Sequence, residues 1–274
     1  NGYRYQTLPV WVSNGRRQGR VKMPVRCSGK VRELEIEAMR VPFFYYPCDR
    51  DEEGLTIDRA GYMHNGRISG SGYGGGHLGY TGYYHYHNGP VAPDKKSIFT
   101  KDEQGNGMLK FNGKEYIMIM GGTAFPGSST YEISIRPTEI GSRMGIIGTA
   151  NNQINLTLEE DGHLKATRGS EVEGEGGSKP VSNFTCTVNS KTVLEAGKWY
   201  QLAVVYDLKT LKLYIHGTLE GMANCPPKGY HEFINHLTVG SLCGWVFKTN
   251  TFFKGDIRRI RIYGRNLGVD EFLK

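Results

Sequence analysis

Residues 197–207 read GKWYQLAVVYD, and residues 211–216 read LKLYIH. From Trp199 to Tyr206 apolar side chains occur at both even and odd positions, which predicts a central β-strand covered on both faces. In the second run Leu211, Leu213 and Ile215 alternate with polar residues, as expected for a strand with one buried face. The short connection at residues 207–210 predicts that the two strands form a hairpin.

Similar strand patterns recur through the rest of the chain, whereas amphipathic helical windows are scarce. The 38 glycines among 274 residues suit many short strands joined by tight turns. We expect further strands at Leu109–Phe111, Tyr116–Met120, Tyr131–Arg136, Gly145–Gly148, Ile154–Leu158, His163–Thr167, Leu237–Val239 and Ile257–Tyr263. These patterns predict an all-β protein, an antiparallel two-sheet sandwich of about a dozen strands.

Three segments differ from this pattern. Residues 1–42 contain strand-like runs at Thr7–Val12, Arg20–Arg26 and Val31–Met39, and they end at Pro42. Residues 69–90, SGSGYGGGHLGYTGYYHYHNGP, form a tract of Gly, Tyr and His. Residues 169–180, GSEVEGEGGSKP, are acidic and rich in glycine, which predicts a loop.

From residue 43 onward five motifs follow one another. They are FFYY with D-x-x-G at 58–61, GNGMLKFNG at 105–113, YEISIRP at 131–137, the run at 197–207, and GDIRRIRIYGRNL at 255–267. In this order they resemble the laminin-G-like, concanavalin A-like jelly roll of secreted carbohydrate-active proteins. The resemblance covers residues 43–274 and implies a jelly-roll β-sandwich there.

Residues 1–42 are not part of this resemblance. We expect them to be the C-terminal strands of a preceding β domain or a linker, a short β appendage to the jelly roll. In proteins of this kind a glycoside hydrolase often precedes the jelly roll. Because the chain begins without a methionine or a signal-peptide pattern, we expect a processed product or a piece of a longer chain. The resemblance implies a multidomain protein that is secreted, periplasmic or on the cell surface.

The net charge of +7 bears on the kind of partner. Basic residues gather at Arg16, Arg17, Arg20, Lys22, Arg26, Lys30 and Arg32, and again at Arg258, Arg259, Arg261 and Arg265. A basic surface attracts nucleic acid, anionic lipid or acidic polysaccharide. No nucleic-acid motif and no apolar run long enough to span a membrane accompany the charge, so an acidic glycan is the preferred partner. Solvated strand faces without a specific partner remain the alternative.

Five cysteines, Cys27, Cys48, Cys186, Cys225 and Cys243, show neither a C-x-x-C motif nor zinc spacing. An odd number means that at least one thiol is free or pairs outside the chain. The spacing leaves the disulfide pairing open.

Aromatic side chains are candidates for sugar binding, because their rings stack and a tyrosine also offers a hydroxyl. Trp245 lies in a predicted rim loop, where the indole can contact a ligand or pack over Phe247. The Gly-rich tract offers Tyr83, Tyr84, His85 and Tyr86, unless it is an insertion packed on the edge of the sandwich. We place Trp199 in the core, because it begins a buried strand.

No catalytic pattern accompanies these aromatic residues. Related hydrolases place their carboxylates as E-x-D-x-x-E, because two carboxyls must flank the scissile bond, and this spacing is absent. The acids at 159–161 precede Gly162 in a predicted hairpin turn, and no G-x-S-x-G or P-loop occurs. We therefore predict no enzymatic activity within the chain. It is a non-catalytic carbohydrate-binding or domain-bracing module, or else the C-terminal part of a glycoside hydrolase whose active site lies outside it, or a protein-binding adhesion module.

The resemblance also implies a calcium ion between Asp58 and an aspartate that follows the isoleucine of the closing strand. At that second position the chain has Arg258, and an arginine supplies no oxygen ligand. We therefore predict no metal, and instead an ion pair between Asp58 and Arg258. Arg258 has the alternation parity of Ile260 and Ile262, so it should face the inner side of the sheet.

Overall fold

The fold is described by a computed structural model of the chain. It describes residues 19–27, 30–38, 44–46, 48, 51–52, 55–56, 66–70, 99–120, 128–149, 154–168, 171–172, 181–182, 186–225, 236–242 and 251–273. The chain forms two compact units, Asn1–Val41 and Pro42–Lys274. In the described part no helix is long and apolar enough to cross a membrane.

The first unit contains an antiparallel hairpin of β1 (Gly19–Cys27) and β2 (Lys30–Ala38). Its register places Val21 opposite Ile36 and Lys22 opposite Glu35, so oppositely charged and apolar pairs alternate over residues 20–23 of β1. Both expected strands are therefore present, while the run at Thr7–Val12 lies outside the described residues. That this unit ends a preceding β domain stays a prediction.

The second unit consists of short strands. Its first eight are β3 (Phe44–Tyr46), β4 (Asp51–Glu52), β5 (Leu55–Thr56), β6 (Gly66–Gly70), β7 (Phe99–Lys101), β8 (Gly107–Asn112), β9 (Glu115–Met120) and β10 (Ser129–Pro137). The others are β11 (Met144–Thr149), β12 (Ile154–Leu158), β13 (His163–Arg168), β14 (Glu171–Val172), β15 (Val181–Ser182), β16 (Cys186–Val193), β17 (Tyr200–Tyr206), β18 (Thr210–Ile215), β19 (Thr218–Asn224), β20 (His236–Val239) and β21 (Lys254–Tyr263).

These strands form two large antiparallel sheets. The eight-stranded sheet has the order β19-β18-β17-β10-β21-β8-β7, with β3 also paired to β21. The nine-stranded sheet has the order β16-β13-β12-β11-β20-β9-β6-β5-β4. Strands β14 and β15 pair separately. The predicted antiparallel jelly-roll sandwich is confirmed, and so is the hairpin of β17 and β18.

The main core lies between the two sheets and follows the alternation of each strand. On β17 the inward side chains are Leu202, Val204 and Tyr206, all of them buried. From the nine-stranded sheet, residues such as Leu156 and Leu164 meet them in the same cluster. Burial of these apolar side chains is the main favourable contribution to folding.

A second, smaller cluster covers part of the outer face of the eight-stranded sheet. Residues 264–273, which we call the C-terminal strap, contain a short 3-10 helix at Val269–Glu271. Leu267 and Phe272 of the strap pack with Ala203, Val205 and Tyr263. The even and odd side chains of Leu202–Tyr206 are therefore both buried, as the sequence predicts for a strand covered on both faces.

The strap is held by Glu132, which has no exposed surface. Its carboxylate accepts hydrogen bonds from Arg261 Nε at 2.9 Å and from the backbone N–H of Leu273 at 2.7 Å. Burial raises the pKa of Glu132, which the Leu273 hydrogen bond and the charge of Arg261 oppose. Arg265 and Glu271 pair within the strap itself at 2.9 Å.

One side of the sandwich is closed by contacts between the two edge strands β16 and β19. A disulfide joins Cys186, at the start of β16, to Cys225, directly after β19. Nearby, the buried carboxylate of Glu220 on β19 accepts hydrogen bonds from the backbone N–H groups of Lys191 and Thr192 at 2.9 and 2.8 Å. The two sheets are therefore linked by a covalent bond and by a charged hydrogen-bond acceptor.

Removing the disulfide tests how much this closure contributes. The bridge spans 39 residues, so replacing Cys186→Ser and Cys225→Ser together should lower the free energy of unfolding by about 2–4 kcal/mol. Urea unfolding of the two proteins measures the difference. A reductant should lower the melting temperature of the native chain but leave the double variant unchanged. Equal sensitivity of both proteins would contradict the assignment.

The turn between β17 and β18 depends on Asp207. Its carboxylate accepts hydrogen bonds from the N–H groups of Lys209 and Thr210 and from the Thr210 hydroxyl, and it pairs with Lys212 at 3.0 Å. Burial disfavours the ionised form, but these bonds outweigh burial and hold the pKa of Asp207 well below its usual value of 3.8.

We expect Asp207→Asn to lower the free energy of unfolding by about 1–2 kcal/mol near neutral pH. A depressed folded-state pKa stabilises the protein above the unfolded pKa of 3.8, and this stabilisation is lost as the pH falls toward the folded value. The difference between native chain and variant should therefore be constant from about pH 5 to 8 and shrink below about pH 4. Urea unfolding at each pH measures it, with Asp270→Asn on the exposed strap as the matched control.

Candidate functional site

Beside the strap, part of the outer face of the eight-stranded sheet carries a row of charged residues. Asp256 on β21 stands opposite Lys110 on β8 and opposite Arg136 on β10. Neighbouring strands lie about 4.8 Å apart, so the register alone brings three charged positions together. Ile257 and Ile135, next to this row in sequence, are buried in the core, which places the row on the outer face.

Arg136 and Asp256 form an ion pair in this row. Both Nε and Nη2 of Arg136 lie 2.8 Å from Oδ2 of Asp256. The Asp256 side chain is 5% exposed, whereas that of Arg136 is 30% exposed. The other carboxylate oxygen, Oδ1, is buried and accepts no hydrogen bond from the part of the chain that the structure describes. The pair thus leaves one acceptor of Asp256 unused.

Trp199 lies beside this pair, and its place in the core was predicted wrongly. Tyr200 contributes to the core, and Trp199 precedes it and is only half-buried. The guanidinium carbons of Arg258 and Arg136 lie 4.1 and 5.1 Å from the centroid of the indole, which are cation–π contacts. Gln201 could have indicated this in the sequence. It is polar and has the same alternation parity as Trp199, so the face that the two residues share should be less buried.

The side of Arg258 was also predicted wrongly, because the alternation changes at Arg259. Opposite β10, the register shifts between Glu132 and Ser134, and Arg259 has a φ of +54°. This β-bulge lets Ile257 and Ile260 both enter the core, although they differ in parity. Arg258 therefore shares the outer face with Asp256 and does not share a side with Ile260.

In the structure Arg258 pairs with Asp102, at 2.7 Å between Nη1 and Oδ2. Burial opposes ionisation of Asp102, but hydrogen bonds from Asn106 and Gln104, with the charge of Arg258, hold its pKa below the usual value. Asp58, the partner that the sequence suggested, lies outside the described residues. A contact between Asp58 and Arg258 stays a prediction.

A shallow groove of about 480 Å³ runs along the charged row. Its lining includes Lys101, Met108, Lys110, Arg136 and Asp256. Lys101 and Lys110 are exposed, and the described part of the chain places no carboxylate within ion-pair distance of either. Among the described residues, the groove lining and the Arg258–Asp102 pair together contain four cations and two carboxylates.

Of the calcium site that the family resemblance implies, Arg258 holds the second position, while Asp58 lies outside the described residues. Among the described residues of this region, the carboxylates of Asp102 and Asp256 are each engaged by an arginine. Calcium takes six to eight oxygen ligands, and a guanidinium among them would repel it. In the described ranges no three His, Cys, Asp or Glu side chains form a group that could hold a metal.

The basic cluster at the end of the chain is mostly neutralised. Arg258, Arg261 and Arg265 pair with Asp102, Glu132 and Glu271 respectively. These arginines therefore hold the fold together, and their partners could not be read from the sequence. The lysines of the groove remain as cations that a ligand can reach.

The aromatic candidates cannot be placed in this site. Trp245 and the tract residues lie outside the described residues, and their role in ligand binding stays a prediction; these are Tyr83, Tyr84, His85 and Tyr86. The acids at 159–161 lie in the turn between β12 and β13, as predicted, where the N–H of Glu159 bonds the carbonyl of His163.

A laminin-G profile, described as the concanavalin A-like lectin/glucanases superfamily, matches residues 111–272. Because the match covers more than half of the 274 residues, the chain belongs to this superfamily. No curated protein matches the chain closely enough to count as a relative.

Solved structures with similar folds include domains of larger proteins. Domain 4 of AbnA, a GH43 extracellular arabinanase from Geobacillus stearothermophilus, in complex with arabinotriose, is 16% identical at a TM-score of 0.55, over 84% of this chain and 96% of that chain. The binding domain of botulinum neurotoxin DC is 11% identical over 84% of this chain and 50% of that chain. Its TM-score is 0.51 in complex with SialylT and 0.52 in complex with rat synaptotagmin II. The chain spans about half the length of that toxin domain, and at these identities the likeness shows the fold alone.

The Arg136–Asp256 pair can be tested by a double-mutant cycle. Arg136→Met leaves a buried carboxylate without its cation and should lower the free energy of unfolding by about 3 kcal/mol. Asp256→Asn should have a smaller effect, because Arg136 is partly exposed and can reach water. The double variant should recover part of the loss in urea unfolding. Purely additive effects would show that the two side chains do not interact.

Proposed function

We propose that this chain is a non-catalytic carbohydrate-binding module of a secreted, glycan-processing multidomain protein. The observation that carries the proposal is the groove on the outer face of a jelly-roll sheet, with charged side chains held in register on three neighbouring strands. Fixed polar groups in a concave surface are what a sugar-binding site requires. Structural relatives in complex with arabinotriose and SialylT support the class of ligand.

An acidic glycan is the partner that the charge of the groove favours. The protein carries a net charge of +7, and the two lysines of the groove are not neutralised by described carboxylates. A cationic surface concentrates anionic polymers near it and speeds their binding. We therefore place polysaccharides with carboxylate or sulfate groups before neutral ones.

Secretion is supported by the disulfide between Cys186 and Cys225, because such bonds persist in oxidising compartments. The arabinanase whose domain 4 has a similar fold is extracellular. A catalytic domain in the same protein, preceding this module, is part of the proposal. The module would hold that domain near its polysaccharide or brace it, and the hydrolytic activity would then lie outside this chain.

A protein-binding role is the second candidate. Leu219 and Met222 on the edge strand β19 are 44% and 58% exposed, and Tyr214 stands opposite Leu219 in the register. Exposed apolar side chains that lie together can form a protein interface. The neurotoxin domain in complex with rat synaptotagmin II has a similar fold.

Titration of the chain with polysaccharides at low and high salt tests the proposal. We expect binding to acidic polysaccharides that weakens steeply between 50 mM and 1 M salt, because the Debye length falls to about 3 Å at 1 M. Reducing-sugar release by the chain alone should stay at background. Neutral arabinan is the control ligand, since it is a polysaccharide of similar length to the acidic ones but carries no charge.

Other outcomes separate the candidates. Binding that does not change with ionic strength would show that charge does not contribute to recognition, although the chain would still be a glycan-binding module. Turnover of any polysaccharide by the chain alone would make it an enzyme. The protein-binding role would replace the proposal if no glycan binds and if the chain binds a protein ligand whose binding is lost in the Leu219→Ser, Met222→Ser variant.

A further inference from the structure

We propose that the groove, which Lys101 and Lys110 both line, is a subsite for one acidic sugar unit, with its acid group on Lys110 and a ring hydroxyl on Asp256. This inference rests on the proposed glycan-binding function. It adds the position of the subsite and the side chain that contacts each group of the sugar. Two independent features carry it: groove lysines that pair with no described carboxylate, and a buried oxygen of Asp256 that accepts no hydrogen bond from the described residues.

The acid group is assigned by elimination among the cations of the site. Arg136 is engaged by Asp256, and Arg258 by Asp102. Lys101 and Lys110 are exposed, and among the described residues no carboxylate pairs with them. An ammonium and a carboxylate or sulfate form short, charge-assisted hydrogen bonds. Lys110, which stands opposite Asp256, therefore supplies the contact that distinguishes an acidic from a neutral sugar, and Lys101 adds positive charge to the same groove.

The hydroxyl is assigned by the unused oxygen of Asp256. Oδ2 takes both nitrogens of Arg136, while Oδ1 is buried and receives no hydrogen bond. A buried acceptor without a donor is unfavourable, so a hydroxyl that donates to it gains more than it would in water. A neighbouring side chain has to move to admit it. Lys110 stands opposite Asp256 in the register, and its exposed side chain can swing toward the acid group of the same sugar, so both contacts can form together.

The aromatic ring of the site favours the same class of ligand. Neutral sugars are often held by stacking on an indole, but Trp199 already packs against the guanidinium of Arg258 at 4.1 Å and lies 5.1 Å from that of Arg136. The indole thus supports the two arginines that fix Asp102 and Asp256. Recognition in this groove depends on charge and hydrogen bonds more than on stacking.

Calorimetry with matched oligosaccharides tests the inference on the whole chain. The probes are oligouronides of several ring configurations, each compared with its methyl ester, which keeps the ring hydroxyls but removes the charge. A sulfated oligosaccharide separates carboxylate from sulfate as the source of the anion. We expect the acid to bind about tenfold more tightly than its ester, and Lys101→Gln with Lys110→Gln to remove that preference.

Lys191→Gln with Lys209→Gln is the matched control, because it removes the same two charges from exposed positions on β16 and in the turn between β17 and β18. It should leave the preference unchanged. An equal loss in this variant would mean diffuse attraction and would overturn the subsite. Equal affinity for acid and ester would also overturn it while leaving the glycan-binding module intact. If no probe and no polysaccharide binds, the proposed function fails with it.

The hydroxyl contact is tested on the ligand, so that the fold is not disturbed. O-Methylation of the ring hydroxyls should weaken binding of the acid about tenfold, because an ether cannot donate to Asp256. Asp256→Asn, if it keeps a cooperative melting transition, should lose this discrimination. Unchanged affinity for the O-methylated acid would show that Asp256 accepts no hydrogen bond from the ligand.

Discussion

Strand β21 has to bury Ile257, Ile260 and Ile262 on one side, and strict alternation cannot do this. The β-bulge at Arg259 resolves the conflict, since it adds one residue opposite β10 and reverses the parity of everything after it. As a result Asp256 and Arg258 before the bulge share the outer face with Arg261 and Tyr263 after it. Because β21 lies in the middle of the eight-stranded sheet, this one irregularity decides which charges the outer face carries.

The outer face is thereby divided into a closed part and an open part. In the closed part Glu132 and Arg261 are paired beneath the C-terminal strap, and the strap buries a small apolar cluster. In the open part Arg136 pairs with Asp256 and Arg258 pairs with Asp102. Lys101 and Lys110 line the groove there. Guanidinium–carboxylate pairs recur in both parts. Their geometry is specific, which suits a face where charged side chains must be held in fixed positions.

Much of the fold could be predicted from the sequence, because the motifs and the alternation of apolar residues are local signals. The hairpin of β17 and β18 and the turn at residues 159–161 are examples. The site could not be predicted in the same way. Its ion pair between Asp102 and Arg258 joins residues 156 positions apart. The doublet Arg258–Arg259 interrupts the alternation of Ile and Arg, but it does not by itself show which of the two arginines keeps the outer face. The disulfide pairing could not be predicted for a similar reason, since the spacing of five cysteines does not determine which two of them form a bond.

The contact between β16 and β19 has a consequence for behaviour at high concentration. Both strands end their sheets, and an open sheet edge can pair with the same edge of another molecule and start aggregation. The backbone N–H groups of Lys191 and Thr192 already donate to Glu220, and the disulfide holds the two edges together. An incoming strand would find these donors occupied and the approach blocked by the partner strand. The buried glutamate and the crosslink thus protect this side of the molecule against edge-to-edge association.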